Sequence, residues 1–118
     1  MAYKTTYPYT GEVLQEYDNA TEADLEKALA TGHALYKTWR GTSVSDRAAT
    51  LQKIAEAIVA HKEELAKAMT YDMGKLLTEA EGEVDLCASI VSYYAKKGEE
   101  FMADTPVESP AGNAHYVK

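Results

Sequence analysis

The sequence predicts a mainly α-helical protein that opens with a short β-ribbon. Apolar residues recur at three- and four-residue spacing through most of the chain between residues 21 and 103. Two of these stretches follow a Ser or Thr with an Asp three residues later, which is a typical helix start. Alternation with a period of two is confined to the first 18 residues. We therefore expect a ribbon, one shorter helix and then a long antiparallel helical hairpin.

Residues 1–18 have the pattern of two strands. Every second residue over positions 3–9 is Tyr or Thr, Gly11 predicts a tight turn, and a second strand follows over 13–17. Pro8 either ends the first strand or keeps it at an edge. Because an isolated hairpin is marginally stable in water, we expect this ribbon to pack on another element.

The first helix is predicted over residues 21–40. Thr21 is the expected N-cap and Asp24 the acidic partner that returns a hydrogen bond to it. Gly41 is expected to end the helix. Its apolar stripe consists of Leu25, Ala28, Leu29, Gly32, Leu35, Tyr36 and Trp39.

The second helix is predicted over residues 44–73 as one continuous element of roughly seven turns. Ser43 followed by Asp46 repeats the start signal. Glutamates and lysines fill the opposite face, and only Lys62 interrupts the apolar one. That stripe consists of Leu51, Ile54, Ala55, Ile58, Val59, Leu65, Ala66, Met69 and Met73.

The third helix is predicted over residues 78–103, antiparallel to the second. Gly74 suits the left-handed conformation that ends a helix, and Thr78 with Glu81 has the order of a capping box. Because the turn is short, the two helices should form a hairpin. The predicted seam consists of Leu77, Ala80, Val84, Cys87, Val91, Tyr94, Gly98 and Phe101.

Residues 104–118 are predicted to be a loop followed by the start of a strand. Pro106, Pro110 and Gly112 interrupt helical periodicity, and 114–118 has strand character. We expect this last strand to lack a partner within the chain, as in a protein that continues beyond this segment.

Composition excludes several classes of partner. The formal net charge is −7, whereas nucleic acids and anionic membranes need a basic surface. The single cysteine excludes an intramolecular disulfide and fits a reducing compartment. The N-terminus lacks the apolar core of a signal peptide, and no apolar run has the length of a membrane span. We expect a cytoplasmic protein without nucleic-acid or membrane partners.

No residue is predicted to be catalytic, to bind a cofactor or to ligate a metal. Cys87 lies on the apolar seam and is expected to be a buried, unreactive residue. The sequence around Gly74-Lys75 lacks the other positions of a phosphate-binding loop. The carboxylates of 79–85 other than Glu83 are explained by the helix dipole and by a solvated face. The histidines, which are expected to have a structural role or none, are His33, His61 and His115.

Several motifs, in order, resemble the N-terminal segment of the NAD(P)-dependent aldehyde dehydrogenases. Residues 7–13, Tyr-Pro-Tyr-Thr-Gly-Glu-Val, are similar to the family's Asn-Pro-x-Thr-Gly-Glu-Val. Asp46-Arg47 with Leu51 resembles its Glu-Arg-x-x-x-Leu. Residues 73–84 resemble its Gly-Lys-Pro…Glu-Ala…Glu-Val signature, with Leu76 in place of the proline. Asp72-Met73-Gly74-Lys75 and Tyr94-Ala95-Lys96-Lys97-Gly98 are most similar to the bacterial succinate-semialdehyde dehydrogenases.

The resemblance implies a fragment of an α/β enzyme that oxidises an aldehyde, succinate semialdehyde in that subgroup, to a carboxylate with NAD or NADP. It places the nucleophilic cysteine, the general base and the dinucleotide site beyond residue 118. It also implies that this chain alone binds no cofactor and is inactive. In some members, positions matching Thr5, Thr6 and Glu83 help to bind a monovalent cation, but the set is incomplete here and no metal site is predicted.

Two interpretations therefore remain open. In the first, the apolar helix faces pack on the rest of an enzyme. In the second, the chain is a self-standing helical module that associates with itself or with a partner and has no catalytic function.

Overall fold

Four α-helices and two separate two-stranded ribbons make up the computed structural model, which describes residues 3–108, 110, 112 and 114–117. The helices are α1 (Glu22–Trp39), α2 (Val44–Ala60), α3 (Lys62–Met73) and α4 (Leu77–Met102). The strands are β1 (Tyr3–Thr6), β2 (Val13–Tyr17), β3 (Thr105–Val107) and β4 (Ala114–Tyr116). The predicted mainly helical fold is confirmed.

The N-terminal ribbon is antiparallel and rests on the end of α3. β1 pairs with β2, and the connection passes through Gly11 at a φ of 73°. The ring of Tyr7 meets the ring of Tyr71 edge to face, with centroids 5.3 Å apart. A Cβ on Gly74 would lie 3.4 Å from the Cβ of Pro8, so the backbone after α3 passes close to the ribbon. The expected ribbon, and its need for a support, are confirmed.

Helix α1 is capped as predicted but stands apart from the other elements. The Asp24 N–H donates to the Thr21 hydroxyl at 3.2 Å, and the Thr21 N–H donates to the Asp24 carboxylate at 3.0 Å. No residue of α1 is buried, and it packs against none of the other described elements. Its apolar stripe therefore faces solvent.

The continuous helix predicted over 44–73 is wrong, because the chain breaks at His61. His61 has φ −103° and ψ 18°, ends α2 and precedes α3. Both halves pack on α4, and the first residue after the break, Lys62, pairs with Asp85 of α4 at 2.6 Å. The break thus lies next to Lys62, the polar residue that interrupts the apolar stripe.

The hairpin itself is antiparallel, as predicted. A Cβ on Gly98 would lie 3.9 Å from Val44, so the start of α2 lies against the end of α4. Near the middle, the Ser92 hydroxyl donates to the Gln52 carboxamide oxygen at 3.2 Å. The order of these contacts runs in opposite directions along the two helices.

The predicted capping box at the start of α4 is wrong. The N-cap is Leu76, without a side-chain hydrogen bond, and Thr78 already lies inside the helix. The Leu76 carbonyl accepts from the Glu79 and Ala80 N–H groups at 3.0 and 2.9 Å. Main-chain bonds alone therefore begin this helix.

The interface between α4 and the other two helices is built from small residues. The buried residues of the described chain are Ala55, Ala66, Ala80, Val84 and Ala88. Ala66, Ala80 and Val84 form one cluster, flanked by partly buried Ile58 and Met69. Small side chains allow helix axes to approach closely, but they remove little apolar area from water.

The predicted seam of α4 is correct at Ala80, Val84, Val91 and Gly98 and wrong at Leu77, Cys87, Tyr94 and Phe101. The observed seam consists of buried Ala80, Val84 and Ala88, followed by partly buried Val91, Ala95 and Gly98. Cys87, Tyr94 and Phe101 are exposed instead. The prediction favoured the larger apolar residues, whereas the close approach of the helices selects the alanine one position later at 88 and 95.

The C-terminal strand has a partner, contrary to expectation. β3 and β4 pair antiparallel, with Thr105 opposite Tyr116 and Val107 opposite Ala114. The sequence does not predict the partner strand β3, because Pro106 lies within it and proline is typical of loops. In a two-stranded ribbon every strand is an edge, where a proline without an N–H is tolerated.

The described chain is elongated. Its Cα radius of gyration is 21.0 Å, against about 13 Å for a compact domain of about 100 residues. The large apolar side chains of the helices consequently remain at the surface.

The Thr21–Asp24 cap predicts a pH dependence for α1. Hydrogen bonds from the Thr21 side chain and backbone lower the pKa of the Asp24 carboxyl. Its contribution is therefore present above the carboxyl's unfolded pKa and is lost as pH falls through the lower folded pKa. Carbon chemical shifts of residues 22–39 should report loss of helix on acidification, and Asp24→Asn should flatten that response. Equal acid sensitivity in both proteins would contradict the prediction.

The alanine interface predicts intolerance of added volume. Ala80 is fully buried between α3 and α4, so Ala80→Leu should lower the free energy of unfolding by about 1–3 kcal/mol through overpacking. Ala49→Leu, at an exposed position of α2, is the matched control. Denaturant unfolding measures both, and an unchanged midpoint for Ala80→Leu would show that the helices do not meet there.

Candidate functional site

The turn between α3 and α4 is held by ion pairs, not by a ligand-binding arrangement. Gly74 adopts the left-handed conformation predicted for it, with φ 71°, and its N–H donates to the Thr70 carbonyl at 2.9 Å. The Lys75 ammonium binds the Glu83 carboxylate across the turn. This interaction joins the turn to α4, and the Lys62–Asp85 pair joins the start of α3 to the same helix.

Sequence reasoning assigned Asp85 to the helix dipole and solvent, connected Glu83 with a cation only through the family resemblance, and missed the lysine partners of both. Lys75 and Glu83 are eight positions apart, and Lys62 and Asp85 are 23 apart. Such pairs become visible only when two helices are aligned in antiparallel register. Lys75 lies in the turn and Lys62 at the start of α3, so no single spacing along the sequence predicts both pairs.

Glu83 is the position that the family resemblance connects with a cation. Its carboxylate is engaged by Lys75 in this structure. Among the described residues, no group of three or more His, Cys, Asp or Glu side chains lies close enough to hold a metal ion. The absence of a metal site from the chain stays a prediction.

Cys87 is exposed, so its predicted burial is wrong. It lies one position from the buried face, which Ala88 occupies. An exposed thiol is accessible to reagents, but accessibility alone does not make a nucleophile, which also needs a depressed pKa.

The three histidines lie far apart in the fold. His33 is exposed on α1. His61 sits at the break between α2 and α3, with Nδ1 3.1 Å from the Glu64 carboxylate. His115 of β4 has Nε2 3.8 Å from the Asp104 carboxylate. His61 and His115 are thus each close to one carboxylate, and the three histidines lie on different elements.

A polar groove beside the helix break offers no unpaired carboxylate. It is lined by Ala60, His61, Glu63, Glu64 and Lys67. Glu63 binds the Lys67 ammonium at 2.5 Å, while Glu64 faces His61. The hydrogen bond between Glu63 and Lys67 lowers the pKa of the Glu63 carboxyl and raises the pKa of the Lys67 ammonium. The groove is therefore an exposed surface with internally satisfied charges.

The described residues do not fit a dinucleotide. Such sites lie where parallel strands lead into helix N-termini through glycine-rich turns. Both sheets here are antiparallel ribbons, and the residues between Gly74 and α4 are engaged by Pro8 and Glu83. Among the described residues, every helix is too short or too polar to span a lipid bilayer.

Helix α4 exposes apolar side chains that no contact within the described chain covers. We call the side of α4 that carries Tyr93, Tyr94 and Phe101 the aromatic face. The ring centroids of Tyr93 and Tyr94 are 5.3 Å apart, and those of Tyr94 and Phe101 are 6.2 Å apart. Ile90 and Leu86 extend it towards the start of the helix, 48% and 58% exposed. Contiguous apolar surface of this kind marks an interaction site.

Helix α1 carries a second such surface, the α1 stripe. Its large members are Leu25, Leu29, Leu35, Tyr36 and Trp39, each between 38% and 60% exposed. Arg40 covers part of it, with its guanidinium 5.7 Å from the ring centre of Tyr36. We therefore take this pair of packing surfaces as the candidate functional site.

The whole chain is similar to a known protein family and to several of its members. The sequence profile of the aldehyde dehydrogenase family matches residues 1–118. The NADP(+)-dependent succinate-semialdehyde dehydrogenase of Deinococcus radiodurans is 36% identical over 112 residues, which are 95% of this chain. A protein of the same name from Mycobacterium leprae is 34% identical over 97% of the chain.

A solved structure is similar across almost the whole chain. Succinic semialdehyde dehydrogenase from Streptococcus pyogenes, in complex with NADP+, has 48% sequence identity and a TM-score of 0.87 over 98% of this chain. The match covers 26% of that protein, and 24% and 25% of the two curated relatives. The chain thus spans about a quarter of the length of the proteins it resembles.

The exposure of Cys87 predicts its reactivity. A thiol-specific disulfide reagent should label one cysteine in the native chain, at a rate comparable with that of the denatured chain. Cys87→Ser should abolish labelling and change stability by less than about 0.5 kcal/mol, as is usual at surface positions. Labelling that requires denaturant would restore the buried assignment.

Proposed function

The chain belongs to the aldehyde dehydrogenase family, and from this premise we propose that it supplies the N-terminal helical portion of an enzyme that oxidises succinate semialdehyde to succinate with NADP. The observation that carries the proposal is the match of 98% of the chain to one quarter of the Streptococcus pyogenes enzyme at 48% identity. The relatives' names supply the substrate and the cofactor. We place the enzyme in the cytoplasm, where a single exposed cysteine stays reduced.

In the reaction, the aldehyde carbon gains an oxygen from water while NADP+ is reduced to NADPH. The proposal assigns the nucleophile, the general base and the dinucleotide site to the three quarters of such an enzyme that this chain does not span. The described residues have no arrangement that fits a dinucleotide, and the paired carboxylates Glu83 and Asp85 of α4 hold this helix to the turn and to the start of α3. The chain alone is then inactive.

The role left to this chain is structural. The α3–α4 hairpin and α2 form a stiff support, and the aromatic face and the α1 stripe pack against the rest of the enzyme. Covering these faces would remove large apolar side chains from water, each fully buried one contributing about 1.5–3 kcal/mol. That is more apolar burial than the alanine interface provides within the chain.

A self-standing interaction module is the competing function, and the same exposed faces favour it. In that case the chain would form a defined oligomer and would have no enzymatic context. Light scattering of the purified chain separates a stoichiometric oligomer from a monomer or from irregular aggregates.

A chimera tests the scaffold role. Replacing the matching first quarter of the Streptococcus pyogenes enzyme with this chain should give a soluble protein that produces NADPH from succinate semialdehyde. The isolated chain should produce none. Val84→Asp, which places a charge at a position 2% exposed, should abolish chimera activity, whereas Val59→Asp measures what a charge does at a 57% exposed position of α2.

Two outcomes would contradict the proposal. One is a chimera that unfolds cooperatively but has no activity. The other is turnover by the isolated chain that disappears in Cys87→Ala, since this would place the chemistry within these residues. The substrate is tested in a whole protein carrying this chain, where succinate semialdehyde should be oxidised in preference to butanal, which lacks the carboxylate at the end opposite the aldehyde.

A further inference from the structure

The aromatic face of α4 lies on a line of exposed residues that has a charge at each end. Residues 79, 82, 86, 90, 93 and 97 recur at three- and four-residue spacing, and all are exposed. Glu79 is at the start of this line and Lys97 is near its end, with Leu86, Ile90 and Tyr93 between them. The line faces away from the residues of α4 that are buried against α2 and α3.

This line is complementary to itself when two copies of α4 are antiparallel. Glu79 and Lys97 are equally far from residue 88, and so are Leu86 and Ile90. The spacing between the two charges makes about five full turns, so both lie on the same side of the helix, about 27 Å apart. Two antiparallel copies would bring Glu79 of each opposite Lys97 of the other, with Leu86 opposite Ile90 between the two charge pairs.

Gly82 has no packing reason within the described chain. It lies inside α4 at an exposed position, where a Cβ would meet no described atom within 4 Å. Apart from proline, glycine is the least favourable residue in a helix interior. In two antiparallel copies, the Tyr93 ring of one comes within one residue step, about 1.5 Å, of Gly82 of the other. The absence of a side chain there gives that ring room.

The chain also exposes more surface than a compact protein of its size. Its accessible surface is 9582 Å², whereas a compact monomer of 12.9 kDa exposes about 6300 Å². A stable dimer needs about 800 Å² from each partner. The excess is therefore large enough for a dimer interface, and Leu86, Ile90, Tyr93 and Tyr94 are each between 48% and 58% exposed.

The α1 stripe of the same chain does not match this face in charge. Residues 40–43 join the end of α1 to the start of α2, which lies against the end of α4. If α1 folded back onto α4, the two helices would therefore be parallel. The acidic first turn of α1, with Glu22 and Asp24, would then lie beside Glu79 in the first turn of α4. Like charges placed together oppose such a contact.

We propose that two copies of this chain associate through the aromatic face, with their α4 helices antiparallel about a twofold axis near residue 88. Such a contact is isologous, because each copy supplies the same acid, the same base and the same apolar residues. Lys97 already donates to Glu100 of its own helix at 2.7 Å, but an ammonium has three donors and can bind Glu79 of the second copy as well.

The proposal concerns the chain on its own and does not rest on the proposed function. Within an enzyme, the remaining protein would take the place of the second copy on the aromatic face. Activity of the chimera, and not this dimer, decides between the scaffold role and the self-standing module.

Sedimentation equilibrium of the purified chain should show a dimer. Ile90→Asp, which places a charge at the centre of the contact, should give a monomer with unchanged helix content by circular dichroism. Leu29→Asp is the matched control, since Leu29 is 60% exposed on the α1 stripe and its replacement should leave the dimer intact. A monomeric parent chain, irregular aggregates, or a dimer that is lost only in Leu29→Asp would overturn the proposal.

Exchange of charges tests the antiparallel register. Glu79→Lys places lysine opposite lysine at both ends of the contact, and Lys97→Glu places glutamate opposite glutamate. Each variant alone should therefore dimerise at least about tenfold more weakly than the parent chain. An equimolar mixture of the two should recover the affinity of the parent, because every lysine then faces a glutamate of the other chain. A mixture as weak as its components would reject the register.

Cys87 provides a test in the unmodified chain. It is exposed and lies one position from residue 88, so the two thiols lie on the same edge of the proposed contact. They are about 3 Å apart along the helix axes, and the axes themselves are about 8–10 Å apart. A short bismaleimide should therefore link two chains through Cys87, and Ile90→Asp should prevent the link. A dimer that the reagent does not link would place the contact on another face.

The proposed function fails separately from this proposal. Sedimentation of the isolated chain measures the dimer, whereas production of NADPH by the chimera measures the scaffold role. An active chimera together with a monomeric chain would reject the dimer and keep the scaffold role. A dimeric chain together with a cooperatively folded but inactive chimera would do the reverse.

Discussion

The close packing of α4 against α2 and α3 is the constraint on which the rest of the structure depends. Ala66, Ala80 and Val84 meet in one cluster, and Ala55 and Ala88 are buried at other points of the α2–α3–α4 unit. Because these side chains are small, the helices lie near enough for Lys62, at the start of α3, and Lys75, in the following turn, to reach carboxylates on α4. The break at His61 is part of the same arrangement, since it allows two helices to follow one 26-residue partner.

The same constraint leaves the large apolar residues outside. An interface made of alanine has no room for Tyr94 or Phe101, so they join Tyr93 on the opposite side of α4. Few apolar atoms are removed from water within the chain, and the large aromatic and aliphatic side chains remain available to another surface. This arrangement fits the proposed role of the chain as a scaffold segment of a larger enzyme. The helices pack closely against each other, and their large apolar side chains remain exposed for contacts with another surface.

The distribution of charge follows the same logic. The partly buried Lys62 and Lys75 have partners on α4, and these ion pairs hold the start of α3 and the turn to that helix. The Nε of Arg47, in the first turn of α2, is enclosed without an acceptor among the described residues.

The sequence by itself determined the features that depend on neighbouring residues. The cap at Thr21 and Asp24, the left-handed Gly74, the N-terminal ribbon and the antiparallel hairpin all follow from local spacing or backbone chemistry, and the family resemblance followed from the order of short motifs. Only the tertiary structure decided the break at His61, the exposure of Cys87, the pairing of β3 with β4 and the lysine–carboxylate pairs. Each of these depends on how closely α2 and α3 approach α4 or on which distant segments meet. Spacing along one chain reports the direction of an apolar face, but the distance to its partner decides whether alanine or a larger residue occupies the contact.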